Sequence, residues 1–231
     1  PNLEYIYLWN NRVTDISTLA GATGLRSLYI SNNNVQDLSV ISTLPRLNQL
    51  SIENNKPINN AEMLRPLVNS SVSRLQLEGL NIESLGPITE MVNLRQLDLS
   101  KTQITDISGL DKLSGLEEIT LRDLRVKDYS PLKNLTFLRS MNLSWNSLGD
   151  EQINDFFSPG SFGYLEKFRC SECGISDLSF LKNLPFIEEL ELGNNEISDI
   201  SPLLELLYLD RIYIERNQIR DITGLADLVG L

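Results

Sequence analysis

The sequence predicts a fold of the α/β class: a right-handed curved solenoid with a parallel concave β-sheet and with 3₁₀ or short α turns on the convex side. Three observations in the 231 residues predict this fold. A pattern of spaced leucines returns about every 22 residues, apolar and polar residues alternate at the start of each copy, and a helix-start signal follows in the second half. Because one copy cannot bury its own leucines, the copies are expected to stack on one another.

The repeated unit follows the pattern L-x-x-L-x-L-x-x-N-x-I and occurs ten times. Eight copies take 22 residues, the last of them ending at Gly230, whereas the third takes 25 and the seventh takes 27. A period of about 20 to 29 residues with this signature is typical of the leucine-rich repeat. We therefore expect residues 1–231 to form a single leucine-rich repeat domain of about ten repeats, truncated at both ends, with longer repeats at 47–71 and 138–164. The repeats begin at Leu3, Leu25, Leu47, Val72, Leu94, Leu116, Leu138, Leu165, Ile187 and Leu209.

The first half of each repeat has the pattern of a short strand. In the fifth repeat Leu97 and Leu99 alternate with polar residues, and a period of two places the leucines inward and the polar side chains outward. The ninth position holds asparagine in six repeats, where a buried amide can bond the backbone of the turn that leaves the strand. The sequence therefore predicts an asparagine ladder with interruptions. The ladder residues are Asn11, Asn33, Asn55, Asn146, Asn195 and Asn217, and the interruptions are Leu80, Thr102, Leu124 and Cys173.

The second half of each repeat carries a helix-start signal, seen in Asp-Ile-Ser-Pro-Leu at residues 199–203. Serine followed by proline is typical of a helix N-cap and first helical position. Few residues follow, so 3₁₀ or short α turns are expected. The two long repeats should carry more helix, at residues 150–157, where Ile153, Phe156 and Phe157 share one face, and at residues 61–68 around Pro66.

The 22-residue period together with Asp-Ile-Ser-Pro-Leu resembles the internalin-like repeats of bacterial surface proteins, and the resemblance covers essentially the whole chain. It implies adhesion to, or recognition of, a partner protein through the concave sheet. The period is also similar to that of the cytosolic leucine-rich repeat subunit of protein phosphatase 1. The repeats of that subunit favour other residues where this chain has Asp-Ile-Ser.

Composition argues against an enzyme and against several classes of partner. The chain contains no histidine, the residue on which Ser-His-Asp and Cys-His catalysis and many metal sites depend. It has no glycine-rich phosphate loop and no calcium loop, so neither a cofactor nor a metal is expected. A net charge of −11 disfavours nucleic acid, and no apolar run is long enough for membrane insertion.

Two cysteines form the motif Cys170-Ser171-Glu172-Cys173, which can indicate redox chemistry or half of a zinc site. The repeat register places Cys170 at the inward sixth position and Cys173 at the ladder position. Free cysteine is commonly buried, and no second pair is present to complete a metal site. The register therefore favours buried, reduced and unreactive thiols.

The many carboxylates also raise the possibility of a paired-acid hydrolase, with Glu189 and Glu191 pointing outward from one strand. Neighbouring strands place opposite charges beside them, and such cross-strand pairs are favourable. We therefore prefer to interpret these residues as a salt-bridged surface. The two outward columns are Lys167, Glu189, Arg211 and Arg169, Glu191, Tyr213.

The concave face of ten strands is a candidate binding surface, because parallel strands lie about 4.8 Å apart and hold their outward side chains on an even grid. The first two repeats contribute four aromatic side chains to it, and aromatic residues commonly anchor interfaces. The alternative is that these side chains pack beneath an N-terminal cap or simply favour strands. The four residues are Tyr5, Tyr7, Trp9 and Tyr29.

A second candidate lies near the strand end of the seventh repeat, where Trp145 follows Arg122 of the preceding repeat at a comparable position. An exposed tryptophan among polar groups is a plausible hot spot. The alternative is that the long seventh loop folds back over the tryptophan.

Together these observations predict a non-catalytic protein-recognition module that binds a partner protein on its concave face, at the bacterial cell surface or as a secreted protein. The alternative is a cytoplasmic regulatory scaffold similar to the phosphatase subunit. The partner-binding residues are predicted to be Tyr5, Tyr7, Trp9, Tyr29, Arg122 and Trp145.

Overall fold

The structure is a computed structural model that describes residues 2–225. Ten parallel strands lie in chain order in one sheet, and short 3₁₀ helices connect most of them. Apolar residues face apolar residues across the register, as in Leu28 opposite Leu50 and Leu50 opposite Leu75. The predicted leucine-rich repeat solenoid is confirmed. The end of the tenth repeat, predicted at Gly230, lies outside the described residues.

The chain divides into two compact units. The first comprises Pro1–Leu116 and Leu124–Pro131, and the second comprises Glu117–Asp123 and Leu132–Leu231. Strands of the first unit are β1 Tyr5–Tyr7, β2 Ser27–Tyr29, β3 Gln49–Ser51, β4 Arg74–Gln76 and β5 Gln96–Asp98. Strands of the second unit are β6 Glu118–Thr120, β7 Ser140–Asn142, β8 Lys167–Arg169, β9 Glu189–Glu191 and β10 Arg211–Tyr213.

The core of each unit is built from the inward positions of the repeat pattern. The first, fourth and sixth positions of the third repeat, Leu47, Leu50 and Ile52, are fully buried. Burying one such side chain contributes roughly 1.5 to 3 kcal/mol, and the pattern returns in every repeat. The repeated leucines therefore drive folding through stacking, as the sequence predicts.

The asparagine ladder is also confirmed. The Asn55 amide donates to the carbonyl oxygens of Ile52 and Ile30, each at 2.9 Å, and accepts from the Val35 N–H at 3.0 Å. One side chain thus bonds the backbone of its own repeat and of the preceding one. Buried ladder residues are Asn33 and Asn55 in the first unit and Asn146 and Asn195 in the second.

The residue immediately before the ladder position has a left-handed backbone in every repeat, a feature that sequence analysis did not predict. Asparagine and glycine adopt this conformation readily, whereas other side chains do so at a cost. The first unit has Asn10, Asn32, Asn54, Gly79 and Lys101 there, and the second has Asp123, Trp145, Glu172, Asn194 and Arg216.

The first turn of the 3₁₀ helices is capped by a different residue from the one that the sequence predicts. Ser201 is the first residue of a 3₁₀ helix, Ser201–Glu205, and the Asp199 carboxylate accepts its N–H at 2.9 Å. The prediction of serine as the helix N-cap is therefore wrong, because the carboxylate of the aspartate two residues earlier already accepts the free N–H of the turn. The 3₁₀ helices are Ser17–Gly21, Ser39–Thr43, Ala61–Leu67, Gly86–Glu90, Leu110–Lys112, Ser130–Asn134, Ser179–Asn183 and Ser201–Glu205.

The two long repeats carry the longest helices, as predicted. Helix α1, Gly149–Phe156, buries Ile153 and Phe156. Phe157, which follows α1, is fully buried and stacks on Phe180 at a ring distance of 5.2 Å. The segment in the third repeat is the 3₁₀ helix Ala61–Leu67, which contains Pro66.

The turn aspartates should make the fold sensitive to acid. Hydrogen bonds from the backbone N–H and hydroxyl of the residue two positions later lower the pKa of Asp15, Asp106 and Asp199 below the ordinary value of 3.8. A depressed folded-state pKa gives stability that is present above the unfolded pKa and is lost as pH falls through the folded one. The unfolding temperature should therefore decrease once the pH is lowered below about 4. Thermal unfolding followed by circular dichroism between neutral pH and pH 2 measures this drop.

The double variant Asp106→Asn and Asp199→Asn isolates the contribution of these turns. Asparagine keeps an acceptor oxygen but cannot titrate, so the unfolding temperature should fall less steeply with acid than in the unaltered protein. Asp111→Asn, on the exposed side of Leu110–Lys112, is the matched control. An equal acid response in all three proteins would contradict the assignment.

Candidate functional site

The outward side chains of the strands form the face that the sequence predicts to be concave, and we call it the open face. It comprises the third, fifth and seventh residues of each repeat, such as Tyr5, Tyr7 and Trp9 of the first. Alternation along a strand requires these residues to point away from the leucine core. The two predicted binding clusters lie on or beside this face, one in each compact unit.

The first cluster, the aromatic patch, consists of Tyr5, Tyr7, Trp9 and Tyr29. The Tyr7 and Tyr29 rings stack at 4.7 Å with an angle of 8°, and the Trp9 ring meets Tyr7 edge-on at 5.5 Å. Tyr5, Tyr7 and Trp9 are each more than half exposed. Burial, and to a lesser extent the neighbouring Tyr7, raises the pKa of Tyr29, so its hydroxyl stays neutral. The patch is an ordered, exposed and largely uncharged surface.

The second cluster is the pair Arg122 and Trp145. The Arg122 guanidinium carbon lies 4.9 Å from the centre of the Trp145 ring, within the range of a cation–π interaction. Trp145 remains 43% exposed, so the loop that follows does not cover it completely. Its backbone N–H donates to the Ser171 carbonyl at 2.8 Å, which fixes the tryptophan beside the next repeat.

Trp145 also occupies the left-handed position of its repeat, with a φ of 65°. A left-handed backbone costs roughly 1 to 2 kcal/mol for a residue other than glycine or asparagine. Four other repeats place asparagine here, namely at Asn10, Asn32, Asn54 and Asn194. The left-handed turn belongs to every repeat, so Trp145, like Lys101 and Arg216, adopts it at a cost.

The carboxylates of β9 form an ion-pair network with flanking arginines. Arg169 contacts Glu189 at 2.5 Å and Glu191 at 2.6 Å, and Arg211 contacts the second Glu189 oxygen at 3.2 Å. Burial lowers the pKa of Arg169, but the hydrogen bonds to Glu191 and Glu189 outweigh that effect and raise it overall. The predicted pairs Arg169–Glu191 and Arg211–Glu189 are confirmed, whereas on β8 Glu189 pairs with Arg169 and not with the predicted Lys167. Guanidinium groups contact both carboxylate oxygens of Glu189 and one of Glu191.

The prediction of reduced thiols is wrong, because Cys170 and Cys173 form a disulfide. Both residues are fully buried, as the register predicts. Between them, Glu172 has a left-handed φ of 56°, which turns the chain and brings the two Cα atoms to 5.5 Å. That separation is ordinary for a disulfide. The repeat pattern reports which residues face inward but not this turn.

Residues 2–225 contain neither a candidate cluster of metal ligands nor a candidate membrane-spanning helix. Within that range no group of three or more histidine, cysteine, aspartate or glutamate residues could hold a metal ion. No helix in the same range is both long enough and apolar enough to cross a bilayer.

Sequence analysis missed a row of exposed aromatic residues in the second unit. Each stands immediately before the first leucine or isoleucine of a repeat, and the last two rings, Phe186 and Tyr208, lie 5.6 Å apart. Comparing that position across the ten repeats would have revealed the row. Its members are Phe137, Tyr164, Phe186 and Tyr208.

Stacked parallel strands, an asparagine ladder and short turns define a leucine-rich repeat solenoid. In agreement, a leucine-rich repeat model matches residues 1–56, and a model of two leucine-rich repeat copies matches residues 92–140 and 165–205. A third leucine-rich repeat model matches residues 134–151, so the matches together cover more than half of the chain. No curated protein matches the sequence.

Similarity to a solved structure indicates the type of leucine-rich repeat. The internalin InlF of Listeria monocytogenes is 26% identical with a TM-score of 0.71, and the match covers 96% of this chain and 70% of InlF. The chain belongs to the leucine-rich repeat proteins, and its repeats are internalin-like.

Two receptor complexes share the fold alone. The TLR13–ssRNA13 complex is 20% identical with a TM-score of 0.74, and the match covers 98% of this chain and 35% of the receptor chain. For the Toll–Spatzle complex of Drosophila the identity is 17% and the TM-score 0.65, with 89% of this chain and 29% of the other covered.

Proposed function

We propose that this chain is a non-catalytic recognition module that binds a partner protein on its open face, which the sequence predicts to be concave. The observation that carries the proposal is the aromatic patch, in which Tyr5, Tyr7 and Trp9 are each more than half exposed on consecutive outward positions. The Arg122–Trp145 pair is the second contact point. Tyrosine, tryptophan and arginine are the residues most enriched among interface hot spots.

A strand surface suits recognition because it is already ordered. The Tyr7 side chain is held between Trp9 and Tyr29 by ring contacts, and its backbone belongs to β1. Binding to such a surface loses less side-chain entropy than binding to mobile loops. The open face can therefore convert aromatic contacts into affinity more effectively than the turns on the opposite side.

A protein is a better-suited partner than a nucleic acid. The TLR13–ssRNA13 complex demonstrates that this fold can hold RNA. Here, however, the net charge is −11, the aromatic patch itself contains no cation, and Arg169 of β8 and Arg211 of β10 are engaged by the Glu189 carboxylate. Nucleic-acid binding draws much of its free energy from cations that neutralise phosphates. The Toll–Spatzle complex offers the analogy of a protein ligand.

The bacterial cell surface, or secretion from the cell, is the location we propose. The internalin-like repeats support it through their similarity to InlF of Listeria monocytogenes. The Cys170–Cys173 disulfide supports it independently, because disulfides persist mainly in oxidising compartments outside the cytosol. The same disulfide weighs against the cytoplasmic regulatory scaffold that the repeat period also allowed.

The proposal is tested by affinity capture with matched variants. The immobilised protein, Tyr7→Ala, Trp9→Ala and Trp145→Ala are exposed to nuclease-treated host and bacterial extracts, with Lys182→Ala on the opposite side as control. A captured protein that is retained by Lys182→Ala and lost by the aromatic variants is then purified, and its Kd is measured. Each aromatic substitution should weaken binding by roughly 1 to 3 kcal/mol, or about 5- to 150-fold. If all aromatic variants capture the partner equally well and Lys182→Ala does not, the binding site does not lie on the open face.

A further inference from the structure

The second compact unit carries an exposed aromatic row that is separate from the open face. It occupies the position immediately before the first leucine or isoleucine of the repeat, where the chain enters each strand. The exposed fractions are 60% for Phe137, 59% for Tyr164, 46% for Phe186 and 55% for Tyr208. In the five preceding repeats the same position holds Gly24, Arg46, Ser71, Asn93 and Gly115. The row is therefore a local feature and not a requirement of the repeat.

The row encloses a pocket with carboxylates in its wall. Tyr164, Phe186 and Tyr208 line it together with Glu166 and Glu188, the residues that follow the first apolar position of the eighth and ninth repeats. In each of these repeats the acidic residue follows the aromatic residue by two positions, as in Tyr164 and Glu166, so the two kinds of residue form adjacent columns with about 4.8 Å between successive strands. An aromatic face beside a carboxylate is thus presented repeatedly along this edge.

The carboxylates of this edge differ in what they contact. Glu166 is bound by Arg139, and the next carboxylate along the edge, Asp210, is bound by Arg211 at 3.2 Å. Glu188 lies between them, is half-buried, and makes no ion pair with any of residues 2–225. The Glu188 carboxylate therefore lines the same pocket as the Phe186 and Tyr208 rings and can accept hydrogen bonds from a ligand.

We propose that this edge binds an arginine side chain of a basic polypeptide partner. A guanidinium is planar and weakly hydrated, so it stacks on an aromatic ring and at the same time donates two parallel hydrogen bonds to a carboxylate. Phe186 and Tyr208 supply the rings and Glu188 supplies the carboxylate. The net charge of −11 favours the approach of a basic segment. This surface is distinct from the open face, so the proposal does not depend on the proposed function.

Short synthetic peptides test the proposal. A labelled peptide of alternating glycine and arginine places successive arginines on one side at about 7 Å when extended, and the same peptide with lysine carries equal charge without a planar head group. Binding is measured by fluorescence anisotropy at physiological ionic strength, where distant charges are screened. The arginine peptide should bind at least about fivefold more tightly than the lysine peptide, since only the guanidinium stacks and bonds in two places.

Matched variants assign the binding to the pocket. Glu188→Gln should weaken the arginine peptide about tenfold and Phe186→Ala about fivefold, as expected for a charge-assisted pair and a cation–π contact. The controls are Glu205→Gln, which removes the same charge from the Ser201–Glu205 helix, and Leu207→Ala, which removes an 82% exposed apolar side chain next to the row. Both controls should change Kd less than about twofold. Circular dichroism verifies that each variant is folded.

Three outcomes would overturn the proposal. Equal binding of the two peptides together with equal losses in Glu188→Gln and Glu205→Gln would reduce the effect to general charge attraction. Failure of the peptides alongside self-association that Phe186→Ala abolishes, measured by sedimentation, would assign the row to contact between copies of this chain. Binding of neutral oligosaccharides but not of the arginine peptide would assign it to a glycan.

Discussion

Replacing Asn55 by alanine should lower the free energy of unfolding by about 3 kcal/mol, a large loss for one exchange of a polar side chain. Asn55 is fully buried, and its amide bonds three backbone groups at 2.9 to 3.0 Å. Alanine leaves the Val35 N–H and the Ile30 and Ile52 carbonyl oxygens without these partners in a site that water cannot reach. Each buried group so deprived costs roughly 1 to 3 kcal/mol, partly relieved by local rearrangement.

Chemical and thermal unfolding measure this loss. In a chain of this size a loss of about 3 kcal/mol corresponds to a fall in Tm of about 6 to 12 °C. Asn11→Ala is the matched control, because Asn11 has the same place in its repeat but is exposed and bonds only the carbonyls of Leu8 and Trp9. Its cost should stay below about 1 kcal/mol. Equal losses in the two variants would contradict the view that burial makes the ladder strong.

The sequence was sufficient for the architecture because the repeat pattern reports burial directly. Leucines at fixed positions can be satisfied only by stacking, and the ladder asparagine marks where the backbone needs an internal partner. The ion pairs Arg169–Glu191 and Arg211–Glu189 followed from the same register, because these residues oppose each other across β8, β9 and β10. Periodicity therefore placed every strand and these two ion pairs, whereas the diagonal pair Arg169–Glu189 was not predicted.

Features that depend on backbone angles could not be obtained in this way. Asp199 displaces Ser201 as the group that satisfies the first turn, and the left-handed Glu172 brings the two cysteines together. Neither effect changes which residues are apolar, so the hydrophobic periodicity does not reveal it. The candidate site was predicted in part: aromatic residues on the open face were identified by register, whereas the row that includes Phe186 and Tyr208 lies just before the strand pattern begins.

Trp145 is a predicted contact residue that occupies a backbone conformation unfavourable for tryptophan. A tryptophan at a φ of 65° destabilises the fold, and the cation–π contact with Arg122 offsets only about 0.5 to 1 kcal/mol at an exposed position. Trp145 is 43% exposed, so packing compensates only part of this cost. Natural proteins accept such local costs mainly where function requires the side chain.

Trp145→Asn should therefore increase stability and weaken partner binding at the same time. Asparagine fits the left-handed position without strain, and the expected gain is up to about 1 kcal/mol after loss of the contact with Arg122, or about 2 to 4 °C in Tm. Binding should weaken by roughly 1 to 3 kcal/mol, because the hot-spot side chain is removed. Calorimetry and the Kd for the captured partner measure the two effects.

Two controls separate strain from contact in this prediction. Trp145→Phe keeps an aromatic ring and the backbone strain, so its Tm should match that of the unaltered protein and most of the binding should remain. Glu172→Asn relieves the same left-handed position in the next repeat, where φ is 56°, and should raise the Tm without removing an aromatic contact. If Trp145→Asn lowers the Tm, the tryptophan is a packing residue of the fold. If it raises the Tm but leaves the Kd unchanged while Tyr7→Ala weakens binding, the contact surface is confined to the aromatic patch.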